Sequence, residues 1–289
     1  MEIPDRLYVL GRSTVDRIAA PRGWGITGIA LNDARQVVGT AIGPAATTSV
    51  TMRAFVWGNG KMRYLPLLPG ARTSWARAIN DRGDIVGECA SMAVVWSGSR
   101  VSPLVGPDVG GCSANGINNH RQVVGQCHGN KDFFWRAVLW DHGRAHDLGS
   151  LSGAGASANA INDEGKIVGD SKTASGDTHA CLWESGHMID LGTPGGQWKD
   201  SSALAISPGG TVVGYCWDPQ GAPSAFIWKA GKMAALPSPA NWDAKATGVN
   251  DAGEVVGYLL STDSDHPASQ AVMWVDGKMS RLDLSLPAK

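Results

Sequence analysis

An all-β, six-bladed β-propeller is the fold this sequence predicts, and three observations predict it. One unit of 38 to 48 residues recurs six times, each copy holds four runs of strand length and strand composition, and no segment keeps a 3.6-residue apolar period long enough for a helix. Four short antiparallel strands per repeat is the period of a propeller blade, and neither end of the chain has the polar, atypical repeat that an open solenoid needs. Composition agrees: 38 glycines, only 18% charged residues, and Val, Ile and Trp in short runs set off by Gly, Asn and Asp.

The elements come in a fixed order. Each copy opens on a run ending small-x-Asn, at Asn32, Asn80, Asn118, Asn162 and Asn250, with Ser207 standing in the fifth. The small residues before it (Ala78, Gly116, Ala160, Ala205, Gly248) suit an innermost strand, where blades converge. A tight turn leads to a second strand carrying a Val-Gly pair, ending at Gly39, Gly87, Gly125, Gly169, Gly214 and Gly257. The third strand ends Ala-x-x-Trp, at Trp57, Trp96, Trp140, Trp183, Trp228 and Trp274, whose large apolar faces suit packing between blades. A Gly turn and a short apolar fourth strand complete the unit. A single domain over 1–289 follows, with blade cores at about 25–68, 73–105, 111–151, 155–193, 200–237 and 243–285. Residues 1–24 hold an extra fourth-type strand and crossover: Tyr8-Val9-Leu10-Gly11 matches His146-Asp147-Leu148-Gly149, as does the C-terminal Met279 to Leu284. One terminal copy should complete the sixth blade and close the ring, leaving the other to cover an edge or pair with another subunit.

The unit resembles the HAF repeat, a His-Ala-Phe triplet leading to Trp within a longer A-x-x-I-N-D-x-G-x-V-V-G pattern. It is matched best by Ala160-Ile161-Asn162-Asp163, Ile167-Val168-Gly169 and His179-Ala180-Cys181-Leu182-Trp183. The triplet is degenerate elsewhere, as in Arg53-Ala54-Phe55 and Ser224-Ala225-Phe226. The resemblance covers essentially the whole chain and implies the repeat architecture, but carries over no catalytic signature.

Strands that alternate direction put the first-to-second and third-to-fourth turns at one end of every blade. Those turns are uniform, which suits a structural role. At the opposite end the copies differ, with 5 to 14 residues between the Val-Gly glycine and the third-strand Ala. Variable loops on a rigid scaffold are where binding is built. The remaining tryptophans fall there: Trp24, Trp75, Trp198 and Trp242 in crossovers, Trp135 and Trp217 in or beside long loops, next to Phe133 and Phe134. As a cluster they would hold a planar aromatic or cationic ligand, or else anchor the loops. Three residues before the Asn the series reads Ile29, Arg77, Asn115, Asn159, Leu204 and Thr247, and its variation marks Arg77, Asn115, Asn159 and Thr247 as candidates to orient a polar group. Acid–base candidates are His128, His179 and Asp132, with Asp177, Asp200, Asp218, Asp243, Asp263, Asp265 and His266 near them in sequence, although His179 holds a position of the repeat itself.

Other classes are disfavoured. A formal net charge of −1 offers no basic field for nucleic acid or an anionic membrane. No apolar run approaches the roughly 20 residues of a membrane helix, and the N-terminus has no signal-like core, so the default compartment is the cytosol. Five cysteines without a CxxC spacing read as reduced, buried thiols. Cys89, Cys127 and Cys216 occupy equivalent places on separate blades, too far apart for a shared metal with bonds of about 2.3 Å. No phosphate-binding or nucleophile motif occurs, and neither cofactor nor metal is expected. The expected function is small-molecule binding in an aromatic-lined funnel by a monomer or homodimer. A hydrolase, lyase or cyclase in the same funnel, with Arg77 as electrostatic stabiliser, and a protein-interaction platform are the alternatives.

Overall fold

Backbone pairing in the computed structural model follows the repeat strand for strand. The structure describes residues 6–10, 15–44, 51–107, 110–129, 134–195, 198–217, 221–263 and 268–282. A hairpin of β1 (Arg6–Leu10) and β2 (Val15–Ala19) precedes the blades. Blade 1 is β3 (Gly25–Leu31), β4 (Val37–Ile42), β5 (Met52–Gly58) and β6 (Lys61–Tyr64); blade 2 is β7 (Ser74–Ile79), β8 (Ile85–Cys89), β9 (Met92–Ser97) and β10 (Arg100–Pro103). Blade 3 is β11 (Cys112–Ile117), β12 (Val123–His128), β13 (Trp135–Asp141) and β14 (Arg144–Asp147); blade 4 is β15 (Ala156–Ile161), β16 (Ile167–Lys172), β17 (Thr178–Glu184) and β18 (His187–Gly192). Blade 5 is β19 (Asp200–Ile206), β20 (Val212–Trp217), β21 (Pro223–Lys229) and β22 (Lys232–Ala235); blade 6 is β23 (Trp242–Val249), β24 (Val255–Ser261), β25 (Ser269–Val275) and β26 (Lys278–Arg281). The chain is a six-bladed β-propeller with four antiparallel strands in every blade. Among the described residues no helix is long and apolar enough to cross a membrane.

The C-terminal run supplies β26, so the sixth blade, like the others, is built of four consecutive strands. The N-terminal copy of the fourth-strand text is the spare one: in β1 it pairs with β2, whose Ile18 is buried against Ile26, Val37, Ala41, Phe55 and Trp57 of blade 1.

Two compact units, residues 1–147 and 148–289, hold three blades each. Within each unit the first strands of neighbouring blades lie against one another while the fourth strands diverge, as wedge-shaped blades require. Apolar contact between blades supplies the core, in clusters centred on Trp96, Trp140, Trp274 and Phe226. The repeated tryptophans also close a polar account. Trp96 Nε1 donates to the Pro66 carbonyl at 2.8 Å, and Trp140 to that of Val105 at 2.8 Å. In the second unit Trp183 donates to the Leu148 carbonyl at 3.0 Å and Trp274 to that of Pro237 at 2.7 Å. Each indole thus satisfies a carbonyl of the crossover entering its own blade while its ring fills the seam.

The first strand of every blade carries a β-bulge, which the sequence did not announce. The residue left over at the bulge is the variable position itself: Ile29, Arg77, Asn115, Asn159, Leu204 and Thr247. A bulge twists the strand and re-aims the side chain it carries, which explains why this position escapes the repeat.

The expectation of five reduced thiols is corrected. Cys112 and Cys127 face one another across β11 and β12 with Cα atoms 4.1 Å apart and form a disulfide; Cys89, Cys181 and Cys216 are free and buried.

Candidate functional site

Two positions meet just before each bulge. The residue five before the Asn lies in register with the one after the Val-Gly glycine: Thr27 with Thr40, Trp75 with Glu88, Ser113 with Gln126, Ser157 with Asp170, Ser202 with Tyr215 and Lys245 with Tyr258. Structural positions surround this pair, the glycine before it and a small buried residue after it. The pair itself is polar or aromatic and differs in every blade.

In the second unit these side chains join into one network. Ser202 Oγ donates to Asp170 Oδ2 at 2.7 Å, and Asn159 Nδ2 donates to the same oxygen at 3.2 Å and to the Ala203 carbonyl at 2.9 Å. Ser157 Oγ in turn donates to Asn159 Oδ1 at 3.0 Å. Both hydrogen bonds to the carboxylate fall on Oδ2; Oδ1 receives none, and Asp170 has no ion pair among the described residues. Beyond Ser202 stands Tyr215, its ring 4.7 Å from that of Trp217 in an edge arrangement, with the Lys245 ammonium 4.0 Å above the Tyr215 centroid. Burial pushes the Asp170 carboxyl above the ordinary carboxylate range, against hydrogen bonds from Ser202 and Asn159 and the charge of Lys172. Burial also raises the Tyr215 and Tyr258 phenols, and the Asp170 charge adds to the rise at Tyr215.

The site residues read from the sequence divide. Asn159 belongs to this network, where its amide holds Asp170, and Trp217 borders it through Tyr215. Trp198 and Trp242 pack on the apolar clusters of their blades, Trp242 also under the Arg281 guanidinium at 5.6 Å. Thr247 is exposed, its hydroxyl 3.5 Å from the Val256 carbonyl that accepts from it. His179 Nδ1 sits 2.9 Å from both oxygens of Asp190 on β18, an edge contact inside its own blade. In the first unit Trp24 packs on the blade 1 cluster, 6.0 Å from the Tyr64 ring. Arg77 is exposed, and its charge lowers the Glu88 pKa against the larger upward push of burial; Trp75 is the register partner of Glu88. Asn115 Oδ1 accepts from Ser113 Oγ at 3.3 Å, and Trp135 meets His128 edge to face at 5.2 Å. Asp132, Phe133, Asp218, Asp265 and His266 lie outside the described residues. Within each unit, no two of the six non-repeat tryptophans are in ring contact among the described residues. Three of them, Trp24, Trp198 and Trp242, are apolar anchors.

No family model and no curated protein sequence matches the chain. Among solved structures it is similar to the β-propeller domain of the Trilobed protease from Pyrococcus furiosus, with TM-score 0.50 and 12% identity over 91% of this chain and 96% of that one. The likeness is one of fold. The acylaminoacyl peptidase of Pyrococcus horikoshii matches with TM-score 0.43 at 9% identity over 90% of this chain and 52% of the enzyme, so the chain spans about half its length. The Aleuria aurantia lectin matches with TM-score 0.41 at 14% identity over 93% and 98% of the two chains.

The state of Asp170 has a measurable consequence. A carboxyl whose folded pKa is raised takes up a proton on folding between its unfolded and folded values, so stability falls as pH rises through that window and stays lower above it. In Asp170→Asn the amide oxygen can replace Oδ2, which receives both hydrogen bonds, and the NH2 can replace Oδ1, which receives none. Urea unfolding should therefore show Asp170→Asn more stable than wild type at pH 7, with the difference shrinking as pH is lowered through the carboxylate range. Wild type being the more stable at neutral pH would show that this carboxylate carries no burial penalty.

Proposed function

We propose that this protein binds a small organic cation with a flat apolar body on the inner strands of blades 4 to 6, its charge on Asp170 and its body against Tyr215 and Trp217. One observation carries the reading. A carboxylate drawn out of water is fixed at one oxygen by Ser202 and Asn159 while the other takes no donor among the described residues, and its charge acts on Tyr215, whose ring meets that of Trp217. Such a group gains more from an incoming ammonium than an exposed carboxylate does, because its desolvation is already incurred in the folded state. The Tyr215 ring face already accepts a cation, the chain's own Lys245. Cation–π contact is worth on the order of 0.5–2 kcal/mol, too little alone and sufficient for selectivity when added to a carboxylate.

Calorimetric titration with benzylammonium, tryptamine, benzyl alcohol and benzoate tests this. The two amines are expected to bind, the alcohol weakly and the acid not at all. Asp170→Asn should weaken amine binding about tenfold or more, the loss of one charge-assisted hydrogen bond, and Trp217→Ala should weaken it several-fold. Amine affinity unchanged in Asp170→Asn, or benzoate binding as well as benzylammonium, would overturn the proposal.

A further inference from the structure

A cavity lies wholly within the first unit, on the seam between blades 2 and 3. It is a groove of about 400 Å3, within the range of small-molecule sites, with Val95, Leu104, Ile117 and Val123 around the Trp140 ring. Beside it the repeat breaks. Directly across from the third-strand tryptophan, on the same face of the sheet, four blades place methionine: Met62 opposite Trp57, Met188 opposite Trp183, Met233 opposite Trp228 and Met279 opposite Trp274. Blade 2 has Val101 there, and blade 3 has Ala145 opposite Trp140. The Trp140 ring, 3% exposed, forms the floor of the groove, beside the place where Ala145 stands.

The rim departs from the repeat at the same place. The third residue after the Asn is glycine in blades 2, 4, 5 and 6, while blades 1 and 3 carry arginine, Arg35 with a φ of 58° and Arg121 with a φ of 67°; Arg121 lines the groove with His120 and His142. Of the two carboxylates at the rim, Asp141 itself lines the groove, and both are already engaged. Asp84 takes Arg121 Nε at 3.1 Å on Oδ2, with Ser97 on Oδ1; Asp141 takes His142 Nδ1 at 2.7 Å on Oδ1 and Gln122 at 3.3 Å on Oδ2. Arg121 Nη1 has no partner among the described residues, and neither has the His120 ring. Donors are left over at the rim and acceptors are not, which is the complement of an anion.

We infer that this groove binds a small aromatic acid, with the ring against Trp140 and the carboxylate at Arg121 and His120. The inference is independent of the Asp170 site, which lies in the other unit. The test uses the full chain with 1-naphthoate, and with 1-naphthalenemethanol and 1-naphthylmethylammonium as its neutral and cationic counterparts, followed by calorimetry. Groove binding is scored as the part that Ala145→Met removes, since methionine there restores the residue of four other blades and adds its bulk beside the Trp140 floor. The acid is expected to bind, the alcohol about tenfold more weakly, and the cation with no groove component. Ala145→Met should lower naphthoate affinity at least tenfold while raising the unfolding midpoint, and Ala145→Ser, which leaves the groove open, should bind as wild type does. Absence of naphthoate binding, equal affinity in Ala145→Met, or a groove component for the cation that matches the acid's would each overturn it.

Discussion

Replacing Gly169 by alanine is expected to cost more than about 3 kcal/mol of stability, above the usual range for overpacking, because the clash is with backbone. A Cβ on Gly169 would lie 1.9 Å from the Ser157 carbonyl oxygen and 2.9 Å from its carbon. No rotamer relieves it. The carbonyl is there because β15 bulges at Asn159 and turns its peptide over β16, and the other five Val-Gly glycines meet the equivalent carbonyl at 1.9 to 2.0 Å. The requirement is therefore for space under a bulge, and positive φ plays no part in it. Gly58→Ala is the control: its nearest neighbour is the flexible Gln36 side chain at 3.4 Å, and its effect should stay within about 0.5 kcal/mol. Urea unfolding followed by circular dichroism and tryptophan fluorescence measures both. Should Gly169→Ala unfold within about 1 kcal/mol of wild type, the central cost of point substitutions in general, the bulge would not be where the structure has it. The same substitution would also displace Ser157, Asn159 and Asp170, so fold and candidate site share one constraint.

That shared constraint explains what could be read from the sequence. Gly169, Asn162 and Trp183 recur because each answers a steric or hydrogen-bonding demand that all blades share, so the repeat, the strand count and the inter-blade role of the tryptophans were legible. The bulge was not, since its residue obeys no compositional rule; its trace was the glycine opposite, which read simply as a landmark of the repeat. Variation at Arg77, Asn115 and Asn159 did mark that position, yet its neighbour across the ladder, the Glu88, Gln126, Asp170, Tyr215, Tyr258 series, went unread, although it sits directly after the glycine. Asp170 was legible on that ground and was missed. The Cys112–Cys127 disulfide was hidden for a related reason: Cys127 was matched along the repeat to Cys89 and Cys216, whereas its partner lies across the ladder, where blades 2 and 5 carry Ser74 and Ser201. The tryptophans Trp24, Trp198 and Trp242 could not be assigned because an indole that anchors a crossover and one that holds a ligand look alike until the apolar cluster beneath is known.

The second large effect is expected at Asn80, which is buried and engaged on both sides of its amide. Its Oδ1 accepts from the backbone N–H of Asp84 at 2.9 Å and of Arg82 at 3.2 Å, closing the turn, while Nδ2 donates to the Asn118 carbonyl of the next blade at 3.0 Å. Asn32 does the same toward Asn80, and Asn162 toward Ser207. The side chain after it adds a second rung: Asp81 N–H donates to Asn119 Oδ1 at 2.9 Å, and Asp33 N–H to Asp81 Oδ1 at 3.0 Å. Asparagine is required because one side chain must accept within its own turn and donate to the next blade. Blade 5 shows the consequence of a shorter group, since Ser207 Oγ accepts from Thr211 N–H at 3.2 Å but reaches no neighbouring blade among the described residues. Asn80→Ala, which strands a buried donor, a half-buried one and a buried carbonyl, should lose about 3 kcal/mol, and Asn80→Ser, which keeps a turn acceptor, roughly half of that. Asn80→Asp separates the two roles. It keeps both acceptors but turns a carboxylate oxygen toward the Asn118 carbonyl, so its folded pKa must rise and its stability must fall as pH rises through the carboxylate range. On protonation the hydroxyl can donate to that carbonyl and regain part of the loss. Equal stability of the Asp and Asn proteins at neutral pH, measured by urea unfolding, would mean that the bond between blades contributes nothing and that the turn alone accounts for the recurring asparagine.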